Sequence, residues 1–135
     1  MTSPITALRD AIRTRLQADA GVLALLREPK IFADPPKHAA FPHVAFVAAT
    51  ARENGTSSED GHATDLALGI WCRGNGSGEG LQVADAIAVA LASLPPALAG
   101  HRLVNLLVLA IESVLLKDGE TWRIQMRIRA VTELV

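Results

Sequence analysis

From residue 120 to the end the chain reads ETWRIQMRIRAVTELV, and its apolar and polar positions alternate one for one. Trp122, Ile124, Met126, Ile128 and Ala130 fall on one side of a two-residue period and Arg123, Gln125, Arg127 and Arg129 on the other. That pattern predicts a strand with one oily and one cationic face. The same period recurs where Leu66, Leu68, Ile70 and Cys72 alternate with Asp65, Ala67, Gly69 and Trp71. Upstream, HVAFVAATAR from His43 to Arg52 predicts a partner strand, with Pro42 placed just before it. The stretch between them, ENGTSSEDG at 53–61, carries Asn-Gly and Asp-Gly turn signals and nothing that could anchor it in a core, which predicts a mobile hairpin loop. A second hairpin is predicted where HRLVNLLVLAIESVLL, following Gly100, meets Lys117-Asp118-Gly119 and then the terminal strand. Residues 103–116 are apolar on both faces, more than one layer of helices needs to cover, so something else is expected on the other side.

Helical spacing appears in two places. Ser3 followed by Pro4 marks a helix start, and Ile5, Leu8, Ile12 and Leu16 then recur three and four apart. Leu81, Ala84, Ile87, Ala88, Leu91 and Leu94 repeat the pattern until Pro95 and Pro96. Between the first helix and IFADPP, the cluster Val22, Leu23, Leu25 and Leu26 predicts a short helical turn stopped by Pro29, with a short strand possible near Ile31. The expected fold is α+β. It has a mostly antiparallel sheet of about four to five strands, with an N-terminal helix and one main helix between two β-hairpins packed on one face. Its 135 residues suit one domain spanning 1–135.

Composition narrows the function. Thirteen basic against fourteen acidic residues give a net charge of -1, so no overall positive field holds nucleic acid. A local cluster such as Arg123, Arg127 and Arg129 survives that argument, with a solvated face or surface ion pairs as its plain explanation. Cys72 is the only cysteine, which fits a reducing compartment and a small buried hydrophobe. No stretch has the length of a membrane span and the N-terminus lacks a signal-peptide pattern, so a soluble intracellular product is expected.

Candidate chemistry is sparse. GNGSGEG, residues 74–80, resembles a phosphate-cradling loop, but it lacks a Lys-Ser/Thr end and Glu79 would repel a phosphate. A strand-to-helix connector with Ser77 as a cap is the simpler reading. His38, His43, His62 and His101 have no ligand spacing and read as surface or hydrogen-bonding histidines. Asp65, Asp85, Glu112 and Glu133 are isolated in sequence, and no Ser or Cys sits in a nucleophile elbow. No catalytic residue, cofactor or metal is expected.

Taken together, ALRDAIRTRLQAD, IFADPP leading to FPHVAF, HATDLALGIWCRG, EGLQVADAIAVALASL, LAGHRLVNLLV and DGETWRIQMRIRAVTE resemble the tail-terminator, or tail-completion, family of long-tailed phages. The likeness is greatest to the version in alphaproteobacterial gene transfer agents. The resemblance implies a structural protein of a virion or gene transfer agent particle, sited at the tail-neck junction and assembled in the bacterial cytoplasm. It implies a homohexameric ring that caps the head-proximal end of the tail tube, ends tube polymerisation and joins the head connector or stopper protein. DNA would pass transiently through it without specific binding, and no membrane is involved. Arg52, Glu53, Asn54, Thr56, Ser57, Ser58, Glu59, Asp60 and His62 become candidates for contact with the tail tube protein. Arg123, Gln125, Arg127 and Arg129 become a subunit interface or a channel face. The interface is favoured, because a strongly cationic lumen would hold phosphates. Two alternatives remain: a neck or stopper subunit on the portal side, and a small α+β ligand-binding module or enzyme using the Gly-rich loop.

Overall fold

The computed structural model of the chain describes residues 3–53, 61–74 and 76–135. Helix α1 spans Pro4–Gln17, and the Ser3 hydroxyl accepts the Thr6 N–H at 3.1 Å, satisfying one of the donors a helix start leaves open. Helix α2 (Ala20–Leu26) is capped in the same way by the Asp19 carboxylate, which accepts from the Val22 N–H at 2.9 Å. It is a complete short helix rather than a turn, and it stops before Pro29, at Arg27, whose φ of 68° is left-handed. Helix α3 covers Gly78–Leu91 and also ends ahead of the prolines expected to stop it.

The strands are β1 (Ile31–Phe32), β2 (His43–Glu53), β3 (Gly61–Arg73), β4 (Ala97–Leu98), β5 (His101–Leu115) and β6 (Thr121–Leu134). They form one sheet in the order β1-β2-β3-β6-β5-β4, antiparallel except for β1 against β2. The count is six, above the expected four to five, because two-residue strands at either margin add to the four long ones. The one at Ile31 is the short strand the sequence suggested, whereas Ala97–Leu98 carries too little periodicity to be read from sequence.

The register sets Leu66, Leu68 and Ile70 beside Ile128, Met126 and Ile124, so all six face the same way. They share one buried cluster with Leu8, Ile12 and Leu16 of α1, Val22 and Leu26 of α2, and Val83, Ile87 and Leu91 of α3. The helices therefore form a layer on one face, and burying each such side chain contributes about 1.5–3 kcal/mol. Gly80 lets α3 approach. A Cβ there would lie 2.6 Å from Ile124 Cγ1 and 2.9 Å from Cys72 Sγ, closer than atoms pack. Cys72 is fully buried, as its apolar setting predicts, and burial raises its thiol pKa.

Candidate assembly surface

On the face away from the helices, Ala63, Asp65, Ala67, Gly69 and Trp71 of β3 pair with Val131, Arg129, Arg127, Gln125 and Arg123 of β6. The four polar residues singled out in the terminal strand do share this face. Their states differ. Arg129 donates from Nε to Asp65 Oδ1 at 2.8 Å, and Arg52 donates from Nη1 to Asp65 Oδ2 at 2.9 Å. Asp65 joins β2 and β6 across the strand between them. The Arg129 hydrogen bond, then that of Arg52, holds its carboxyl below the ordinary carboxylate range. Asp65 is isolated in sequence, and only the hairpin register brings two arginines to it.

Arg123 is half-buried, and its Nε has no hydrogen-bond partner among the described residues. Arg127 is exposed and makes no ion pair among them. Small neighbours leave a shallow trough of about 200 Å³ beside Arg127, lined by Ala48, Thr50, Ala67 and Leu109. This face thus offers two guanidinium groups without an ion pair among the described residues, the exposed Arg127 and the half-buried Arg123, over a floor of small residues.

Strand β5 borders it. His101 is its one buried residue, whereas Val104, Leu107, Leu109, Ile111 and Leu115 are 42–52% exposed. The surplus of apolar positions seen in the sequence is left uncovered by the fold. Large apolar surface without cover marks contact sites.

At the far end of the face Trp71 lies across Gly69, where a Cβ would come within 2.5 Å of the indole. His43 stacks on the same indole, with ring centroids 5.1 Å apart and planes 13° from parallel. The Arg73 guanidinium sits 4.4 Å above the Phe41 ring. Asp118 accepts from the Glu120 and Thr121 N–H groups and pairs with Arg73, and these bonds, that of the Thr121 hydroxyl first, lower its pKa to about 2. Sequence reasoning missed this aromatic cluster, although Gly69 two residues before Trp71 put an open floor beside an indole on one face. His38 is exposed, whereas His43 and His101 are buried, and His43 Nδ1 lies within hydrogen-bond reach of the Ala40 carbonyl oxygen at 3.3 Å.

Of the candidate tube-contact residues, Arg52 and Glu53 end β2 and His62 lies near the start of β3. Asn54, Thr56, Ser57, Ser58, Glu59 and Asp60, with the expected mobile tip, fall outside the described residues. In the Gly-rich stretch, Ser77 precedes α3 without a side-chain capping bond, contrary to its expected role, because its backbone is already helical. Glu79 pairs with Arg27 at 2.9 Å. Among the described residues no group of three or more His, Cys, Asp or Glu could hold a metal ion, and no helix is long and apolar enough to cross a membrane.

With that geometry in place, the comparisons with known proteins are specific. Residues 10–133 match the model of a family described as tail completion protein gp17. The fold is similar to a chain in a structure titled "Virion of native gene transfer agent (GTA) particle", with a TM-score of 0.87 at 23% identity over 98% of this chain and 99% of that one. It is also similar to the bacteriophage SPP1 gp17 protein, with a TM-score of 0.59 at 20% identity over 92% and 87% of the two chains. No curated protein sequence matches.

Proposed function

We propose a role that proceeds from one premise: the chain belongs to the tail completion protein gp17 family. In this reading it is a structural protein of a phage or phage-like virion. It forms a ring, a homohexamer, at the head-proximal end of the tail tube. There it ends tube polymerisation and offers the head connector a docking face, with no catalytic step and no cofactor. The observation that supports a ring is β5, a long strand that packs Leu103, Leu106 and Val108 against the core but leaves Val104, Leu107, Leu109, Ile111 and Leu115 open. A ring uses two different surfaces of each subunit, so one subunit's excess can be covered by the next.

Arg127 then faces either a neighbour or the channel, and Arg129 counts for little in both, being held by Asp65. A lumen carrying so few unpaired cations would let DNA pass without gripping its phosphates. The segment from Arg52 to His62 is the candidate contact with the tail tube protein. The test is native mass spectrometry of the chain alone and mixed with tail tubes from the same gene cluster. A hexamer in either sample is expected. A chain that stays monomeric with tubes but binds the portal side instead would overturn the cap in favour of a stopper.

A further inference from the structure

We infer that neighbouring copies of this chain join edge to edge, the open stretch of β5 in one pairing antiparallel with the open stretch of β2 in the next. The sheet then runs on across the subunit boundary. This deepens the ring reading and rests on it for closure, but its geometry comes from the sheet alone.

A sheet edge presents unpaired N–H and C=O groups that template another strand. Here β1 covers only Val44 and Ala45 of β2, and β4 covers only His101 and Arg102 of β5, with Pro96 just before β4 accepting the Leu103 N–H at 2.7 Å. Each outer strand is blocked at one end and open along the rest. Tracing the register across the sheet, Glu53 lies level with His62, Thr132 and Leu103, and Ala48 lies level with Ala67, Arg127 and Ala110. The open window of β2 from Ala48 to Arg52 therefore stands at the same height as residues 105–110 of β5, just past the Leu103 N–H that Pro96 holds. Neither short blocking strand intrudes on the other window.

Direction agrees as well. Successive antiparallel pairings from β2 through β3 and β6 to β5 leave β2 and β5 running in opposite senses. Rotation about an axis along the strands moves a copy sideways without reversing it. It brings β5 against the next β2 in the antiparallel sense already used throughout most of the sheet.

Side chains fit the same partner. The β2 window offers Ala48, Ala49, Thr50 and Ala51, all small, before the charged Arg52 and Glu53 at its end, whereas β5 offers Val104, Leu107 and Leu109, large and about half exposed. Large side chains facing small ones interdigitate. Edges are commonly guarded by charge, proline or bulges. Between Leu103 and Ile111 the chain has no charge and no proline; bulges at Leu103/Asn105 and Val108/Ala110 twist that edge without covering it. Pairing β5 with a second β5 about a twofold axis would set large against large and leave every β2 edge open.

The test uses Thr50→Cys and Leu107→Cys, both exposed positions, in a chain whose own Cys72 is buried. The two variants are mixed, assembled on tail tubes and treated with a short bismaleimide, with the unsubstituted chain as the reference for assembly. A cross-linked dimer is expected in the mixture and not in either variant alone. A cross-link within Leu107→Cys alone overturns the proposal in favour of twofold pairing. Hydrogen exchange on the unsubstituted chain supplies a second reading: the amides of both windows should slow together, by at least about tenfold, in assembled particles. Rings that form without the cross-link or the protection overturn the strand pairing and leave the ring standing. A chain that never assembles overturns both.

Discussion

Strands β5 and β6 are two arms of one hairpin, both rich in Leu, Ile and Val, and they are buried in opposite measure. Ile124, Met126, Ile128 and Ala130 of β6 have no exposed surface, while five large apolar side chains of β5 stand more than two-fifths exposed. The difference comes from position and from pattern together. Strand β6 lies between β3 and β5 and alternates, so one layer of helices satisfies it. Strand β5 lies near the margin and does not alternate, so the same layer cannot. Apolarity in a sequence measures how much cover a segment calls for, and a single chain need not supply it all.

The sharpest way to break this contrast is to remove a side chain on the covered arm. Ile124→Ala should destabilise the chain by about 2–5 kcal/mol in denaturant unfolding, the cost of lost transfer energy plus a cavity. Gly80→Ala probes the same contact from the helix side. The added methyl meets Ile124 and Cys72 at under 3 Å, so unfolding should become easier by about 1–3 kcal/mol.

A smaller effect should come from pH. Burial, with a lesser contribution from the Lys30 charge, pushes the His43 pKa below its ordinary 6.5 against the opposing Ala40 carbonyl bond. The unfolded chain then binds this proton more readily, so stability should fall as pH drops below about 6.5 and stop falling once the folded chain protonates too. Unfolding free energies measured from pH 7.5 down to 5 check this, and His43→Phe should flatten the slope. The smallest change is expected on the open arm. Leu107→Ser should alter monomer stability by no more than about 0.5 kcal/mol. If it lowers ring formation all the same, the contrast between the arms is one of assembly, not of folding.

Much of the fold was legible because its long elements have clean periods. The alternation in Leu66 to Cys72 and Trp122 to Ala130 identified the core face, and Ser3-Pro4 located the first helix. Of the strands at the margins, the one at Ile31 was anticipated and the one at Ala97–Leu98 was not, since two residues carry no period. The site was legible by halves. The cationic side of β6 could be read directly, but its division into Arg129 held, Arg123 half-buried and Arg127 open depends on Asp65 arriving from 64 residues away. Register decides such meetings, and a single sequence does not print register.

Register is also where the Arg52–Asp65–Arg129 triad has its consequence. The open side of β3 is built from Ala63, Ala67 and Gly69, small residues that would slide past a neighbour with little resistance. A slip of one residue would turn Asp65 into the helix layer and Leu66 out of it. An exposed pair of this kind adds roughly 0–1 kcal/mol to the correct pairing, whereas an ionised carboxylate carried into the core costs several kcal/mol. The triad's weight thus falls on the wrong alignments more than on the right one. Asp65→Ala should leave the finished molecule almost as stable and make it slower to find, with more chains trapped one step out of line.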